Sequence, residues 1–193
     1  INDGNGRFTD DAARLKLDFN GASMMMSFAD IDQDGDLDGY LATTAKAPPP
    51  GTQFGVVYEG EKPVIPEPLQ EYWQFLYLPG KKVQRTESGQ FDRLFRNDGG
   101  TFKEVAKASG IDGPYFSLSA TWWDYDADRK PDLYVSNDYT GPDMLYHNLG
   151  GKFANRIRET VPHTPWFSMG SDIGDVNNDG MIDFFASDMA ATT

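Results

Sequence analysis

The chain has 193 residues, no cysteine and a net charge of −13, from 30 acidic against 17 basic side chains. That length permits one domain with a sizeable core, and the missing thiols exclude disulfides and cysteine chemistry. With no basic stripe to offset the acidity, nucleic acid is excluded as a partner. No apolar run is long enough to span a bilayer and no signal-peptide hydrophobic region is present, so a mature or excised, not membrane-spanning piece is expected.

In chain order, the first element is an Asn-Gly turn that leads to an aromatic, Asn2-Asp3-Gly4-Asn5-Gly6-Arg7-Phe8. It recurs as Asn97-Asp98-Gly99-Gly100-Thr101-Phe102 and as Asn148-Leu149-Gly150-Gly151-Lys152-Phe153. Turns of this kind need residues that tolerate positive φ, so each reads as a hairpin.

A strand predicted over 24–29 runs into Asp30-Ile31-Asp32-Gln33-Asp34-Gly35-Asp36-Leu37-Asp38, with carboxylates at loop positions 1, 3, 5 and 9 and glycine at 6. Two further copies follow. Asp124, Asp126, Asp128 and Asp132 keep all four acids, while Asp175, Asn177, Asp179 and Asp183 keep three and place an amide at position 3. Converging oxygens of this number and spacing suit a hard dication such as Ca²⁺, which takes six to eight of them at roughly 2.3–2.6 Å. A polar turn that is merely rich in Asp would not explain the regular spacing, and eleven of the 30 acids sit at these positions. An EF-hand is excluded, because its closing Glu at position 12 is here Leu41, Val135 and Ala186. Apolar strands follow instead, Leu133-Tyr134-Val135 and Phe184-Phe185-Ala186, so each loop joins two strands.

The two series keep step. Fifty-one residues separate Asn97 from Asn148 and also Asp124 from Asp175, whereas Asn2 to Asn97 is 95 and Asp30 to Asp124 is 94. One period therefore holds strand, acidic loop, strand, connection, strand, Asn-Gly hairpin and strand, the four-stranded blade of a β-propeller. The first interval carries an insertion, marked by seven of the 12 prolines lying between Pro48 and Pro79. The predicted fold is all-β: an outer half-blade over 1–20, a blade over 21–114 with an insertion at 45–89, a blade over 115–165 and an inner half-blade over 166–193. Within the insertion Leu69, Tyr72, Trp73 and Leu76 fall at helical spacing and predict a short amphipathic helix. Its aromatics are expected to cover the propeller face, the other use being a ligand or partner platform. Trp122, Trp123 and Trp166 are expected to pack between blades.

Paired loops and hairpins of this kind resemble the FG-GAP, or VCBS, repeats of integrin-α-type propellers. Thr121-Trp122-Trp123-Asp124-Tyr125-Asp126 and Pro165-Trp166-Phe167-Ser168-Met169-Gly170 look more narrowly like the secreted cartilage-acidic-protein and UnbV-type branch. The resemblance implies a calcium-stabilised propeller used in adhesion or assembly, with about three Ca²⁺ here. Asp36, Lys130 and Met181 would each add a backbone oxygen. Arg129 departs from the family's position-6 glycine.

These readings favour a noncatalytic, secreted or cell-surface, calcium-binding module, since cytosolic calcium is too scarce for ordinary sites. The only histidines are His147, in a hairpin, and His163, in a Pro-rich connection, and neither suggests a catalytic constellation. The expected partner is protein or another copy of the chain: residues 1–20 of one copy would complete the blade begun by 166–193 of the next, forming a filament. A carbohydrate-binding or carbohydrate-active protein is the remaining alternative.

Overall fold

The computed structural model describes residues 1–78, 80, 82–138 and 141–189. The expected last unit is thus described as far as Met189, and residues 190–193 lie outside the described residues. The fold is all-β, built from antiparallel sheets with three single-turn helices.

The first four-stranded sheet comprises β1 (Ser23–Ala29), β2 (Asp38–Thr43), β7 (Arg93–Asn97) and β8 (Phe102–Glu104), paired in that order. The second repeats it with β9 (Phe116–Trp123), β10 (Asp132–Asp138), β11 (Met144–Asn148) and β12 (Phe153–Asn155). A third sheet has two strands, β13 (Ser168–Gly174) and β14 (Asp183–Asp188). β1 packs against β9, and β9 and β10 against β13, so the three sheets stand in a row. The described residues do not close a ring.

Alternation along the strands explains the row. Successive side chains point to opposite faces, and the second strand of each sheet is apolar on both. Tyr40 and Ala42 enter the core shared with Leu133, Val135 and Tyr146 of the second sheet, while Leu41 turns to the opposite side with Phe95 and Phe102. One sheet later Leu133 and Val135 face the first sheet, and Tyr134 faces the third with Leu145 and Phe184. Trp122 and Trp123 lie between layers as expected. Trp122 meets the Tyr40 ring edge-on at 6.3 Å and donates its Nε1–H to Ser27 Oγ at 3.0 Å. Trp123 stacks on Phe184 at 5.1 Å. Trp166 corrects the expectation: it is 71% exposed, at the entry to the third sheet, where no further layer covers it.

Residues 1–20 form less sheet than expected. A single bridge joins Asn2 to Phe8, and helix α1 (Ala12–Leu15) follows. The same succession of hairpin and one-turn helix ends the other repeats, with α2 (Ala106–Ser109) after β8 and α3 (Ile157–Thr160) after β12. Leu15, Leu17 and Phe19 pack on the Leu41, Phe95 and Phe102 face of the first sheet. Residues 1–20 and 166–189 therefore sit against different sheets, on opposite ends of the row.

The insertion leaves and rejoins the sheet through an Ala45–Gly89 bridge. Inside it are two hairpins, β3 (Val57–Glu59) with β4 (Lys62–Val64), and β5 (Trp73–Leu78) with β6 (Lys82–Glu87). The amphipathic helix expected here is replaced by a 3-10 turn over Glu67–Leu69 and then strand β5. Aromatic and branched residues prefer a pleated surface, and the strand partner at 82–87 satisfies the backbone of 73–78, a pairing invisible to a local periodicity.

A buried aspartate stands at each junction between sheets. Asp92 accepts hydrogen bonds from Tyr40 Oη at 2.6 Å, the Thr43 N–H at 2.6 Å, Thr43 Oγ1 at 3.0 Å and, across the interface, Ser117 Oγ at 2.6 Å. Asp143, 51 residues on, accepts from Tyr134 Oη and the Asn137 N–H, with the Ser168 hydroxyl of the third sheet against it. Burial raises both carboxyl pKa values and the donors oppose it. Asp92→Ala would leave two buried donors, the Tyr40 hydroxyl and the Thr43 N–H, without their acceptor, since Thr43 Oγ1 and Ser117 Oγ each have a second partner, at about 1–3 kcal/mol each. Thermal melts should show a loss of at least about 2 kcal/mol, a Tm lower by roughly 4 °C or more; a shift under about 2 °C would mean that the pin is dispensable.

Candidate metal centres

Each acidic loop folds on the same hydrogen-bond frame. In the first, Asp30 accepts from the N–H groups of Asp34 and Gly35 at 3.1 and 3.0 Å, and Asp34 from that of Asp36 at 2.9 Å. Asp38 accepts from the Ile31 N–H at 2.9 Å. Asp124, Asp128 and Asp132 repeat these bonds with Asp128, Arg129, Lys130 and Tyr125 as donors. Asp175, Asp179 and Asp183 repeat them with Asp179, Gly180, Met181 and Val176. Turning the chain this tightly requires the left-handed region at positions 4 and 6. Gln33, Ala127 and Asn178 have φ near +60°, followed by Gly35 at +96°, Arg129 at +71° and Gly180 at +85°.

The position-9 aspartate opens the second strand and ties the loop to the hairpin. The second oxygen of Asp38 accepts the Asn97 N–H at 2.8 Å, and that of Asp132 the Asn148 N–H at 2.7 Å. Both carboxylates are fully buried. Burial raises their pKa values, against the lowering effect of these backbone donors. The asparagine side chains finish the joint: Asn97 Nδ2 donates to Leu37 O at 3.2 Å, and Asn148 Nδ2 to Pro131 O at 3.0 Å and to Ile31 O of the first loop at 2.8 Å. Gln33 Nε2 also donates to Arg129 O at 2.6 Å, so the first two loops are in direct contact.

These frames bring together some of the expected ligands. Oxygens of Asp30, Asp32 and Asp38 lie within 4.8 Å of one another, as do those of Asp124, Asp126 and Asp132. Asp34 is outside the first group, and the Asp36 side chain reaches across to the Gly99 N–H at 3.0 Å. In the second loop the Lys130 ammonium pairs with Asp128, which lowers the Asp128 pKa. Among the described residues the third loop forms no such group of three acids; Asn177 Nδ2 instead donates to Asp179 at 3.1 Å. Met181 there is 68% exposed.

One residue with no assigned role in the sequence reading joins the second site. His147 lies on β11 with Nδ1 3.2 Å from Asp132 and 3.4 Å from Asp126, yet that buried nitrogen makes no hydrogen bond. It forms a third possible coordinating group with Asp126 and Asp128. The unsatisfied nitrogen and the crowded acids fit a bound cation, since clustered carboxylates repel and a buried polar atom wants a partner. Only its position immediately before Asn148 could have drawn notice to His147.

Arg129 is where the second loop departs most from its siblings, because a Cβ in the left-handed region costs about 1 kcal/mol. Arg129→Gly should therefore raise stability by about 0.5–1 kcal/mol and Tm by roughly 1–4 °C. A lower Tm would show that the arginine side chain contributes more than its backbone costs.

Comparison with known proteins agrees with this geometry over part of the chain. No curated protein matches the sequence. The family of FG-GAP-like repeats matches residues 124–186, from the first ligand position of the second loop through the strand after the third, so an FG-GAP-like repeat spans the second and third candidate metal centres.

Proposed function

We propose that this chain is a noncatalytic, extracellular, calcium-binding module of propeller blades that serves adhesion or protein assembly. The observation that carries this reading is the repeated frame in which a buried position-9 aspartate links an acidic loop to an Asn-Gly hairpin. Asp30, Asp32 and Asp38, with Asp124, Asp126 and Asp132, are the groups that would hold ions, and His147 stands beside the second set. Asp34, Asp128, Asp175, Asn177, Asp179 and Asp183, and the carbonyls of Asp36, Lys130 and Met181, complete the proposed sets.

Calcium supplies charge neutralisation here rather than reaction chemistry. Oxygen donors in flexible turns suit Ca²⁺ better than the strict octahedron of Mg²⁺. Extracellular modules work with affinities of about 10⁻⁴–10⁻³ M, which suits a secreted or surface setting. The loop carboxylates already accept backbone N–H groups, a role opposite to that of a catalytic proton donor. The Thr121–Asp126 and Pro165–Gly170 phrases support placement in the cartilage-acidic-protein and UnbV-type branch.

One observation favours a second reading, assembly into a filament. Asp38 and Asp132 each take a hairpin N–H, whereas among the described residues Asp183 takes only that of Val176, and β14 pairs only with β13. Residues 1–20 of a neighbouring copy would bring an Asn-Gly hairpin to this edge.

Two measurements separate these readings. Ca²⁺ at about 10 mM, roughly 10–100 times such a Kd, should stabilise the fold by about 1.4–2.7 kcal/mol per site, and EDTA should lower Tm by roughly 5 °C or more. A melt indifferent to both would remove the calcium reading. Sedimentation should show concentration-dependent growth that Asn2→Ala suppresses if the copies join head to tail; a monomer at every concentration would remove the filament.

A further inference from the structure

The insertion builds a cleft that the repeat does not require. It lies between the β5–β6 hairpin and β7 of the first sheet, with a volume of about 610 Å³, inside the range of roughly 300–1,000 Å³ typical of small-ligand sites. Trp73, Phe75 and Tyr77 alternate along β5 and form one wall. Phe91 also lines the cleft. Tyr77 and Phe91 are 58% and 50% exposed, so both rings are open to a ligand.

The polar groups select among ligands. Gln70 and Gln74 each use their amide nitrogen on a backbone carbonyl, at 2.8 and 3.2 Å, which leaves their carbonyl oxygens as acceptors. Gln90 does the reverse: its oxygen accepts the Ala22 N–H at 2.7 Å and its amide nitrogen remains a donor. A lining with both free donors and free acceptors beside aromatic faces matches sugar hydroxyls, which do both, and the C–H faces of sugar rings.

Arg93 adds a charge requirement. Arg93 lines the cleft, and its guanidinium is held over the Phe19 ring at 5.0 Å and forms no ion pair among the described residues. The buried Nε finds no hydrogen-bond acceptor. A guanidinium without an anionic partner is suited to a carboxylate. Elsewhere in the lining Glu71 is already paired with Lys46 at 3.5 Å, and Glu59 stands opposite Lys62 on the neighbouring strand. The chain's overall acidity does not oppose this, because exposed charges beyond a Debye length of roughly 8 Å are screened.

We propose that this cleft binds an acidic oligosaccharide, with a sugar ring against Tyr77 and Phe91 and a uronic carboxylate on Arg93. The site is built by the insertion and does not depend on whether the acidic loops take calcium.

The test uses the whole chain with a trimer of galacturonic acid, its methyl ester, and a neutral maltotriose, followed by tryptophan fluorescence and calorimetry in calcium and again in EDTA below either melting temperature. The acid should bind saturably in both buffers, and the ester and the neutral trimer at least tenfold more weakly. Tyr77→Ala, at an exposed position, should keep the parental melt and weaken binding at least tenfold, as should Arg93→Gln. Failure of the acid to bind, equal binding of acid and ester, or binding unchanged in Tyr77→Ala would overturn the proposal. Binding lost in EDTA alone would also overturn it, by assigning the uronate to a loop-bound ion.

Discussion

The rest of the structure depends on one carboxylate per repeat, Asp38 in the first sheet and Asp132 in the second. Each is fully buried and divides its two oxygens between the N–H that opens its own loop and the N–H that opens the outer hairpin. Taking a carboxylate out of water is costly unless donors or a cation replace the water. Here the backbone supplies the donors, so the loop cannot change shape without releasing the hairpin, and the strands on either side are fixed by the same group. The burial that raises these pKa values also means that protons and a metal ion compete for the same oxygens.

A second buried acid does between sheets what the first does within one. Asp92 and Asp143 gather a tyrosine hydroxyl and a backbone N–H from their own sheet and face a serine of the next. Apolar packing alone would let the layers slide. At the first junction the directional bond from Ser117 Oγ to buried Asp92 sets the registration, and Trp122 and Trp123 fill the spaces between layers. Asn148, reaching from the second sheet to Ile31 O, extends the registration to the loops themselves.

The insertion is tolerated because it enters and leaves at one point, the Ala45–Gly89 bridge. At Gly89 the backbone runs so close to the Tyr115 carbonyl that a Cβ would overlap it. This brings the base of the excursion against the connection into the second sheet. The two hairpins beyond are held by their own strand pairs and by an aromatic group in which Phe54 lies edge-on to Trp73 at 5.3 Å with the Arg85 guanidinium 4.4 Å above it. A repeat scaffold with a rigid base can thus carry a cleft of unrelated chemistry.

The sequence by itself determined what repetition and local chemistry encode: acidic loops at fixed spacing, Asn-Gly turns in step with them, alternating apolar strands and the bounds of a long excursion. Those signals survive in one dimension because every copy must solve the same local problem of tight turns and two-sided strands. Only the tertiary structure decided where distant partners meet. It turned 73–78 into a strand through pairing with 82–87, left Trp166 outside, and placed His147 beside Asp126 and Asp132. It also placed Asp92 and Asp143 at the junctions between layers, although their spacing of 51 residues was visible in advance. The physical reason is that hydrogen bonds and burial depend on distance in space, and the residues joined here are separated by up to 117 positions along the chain.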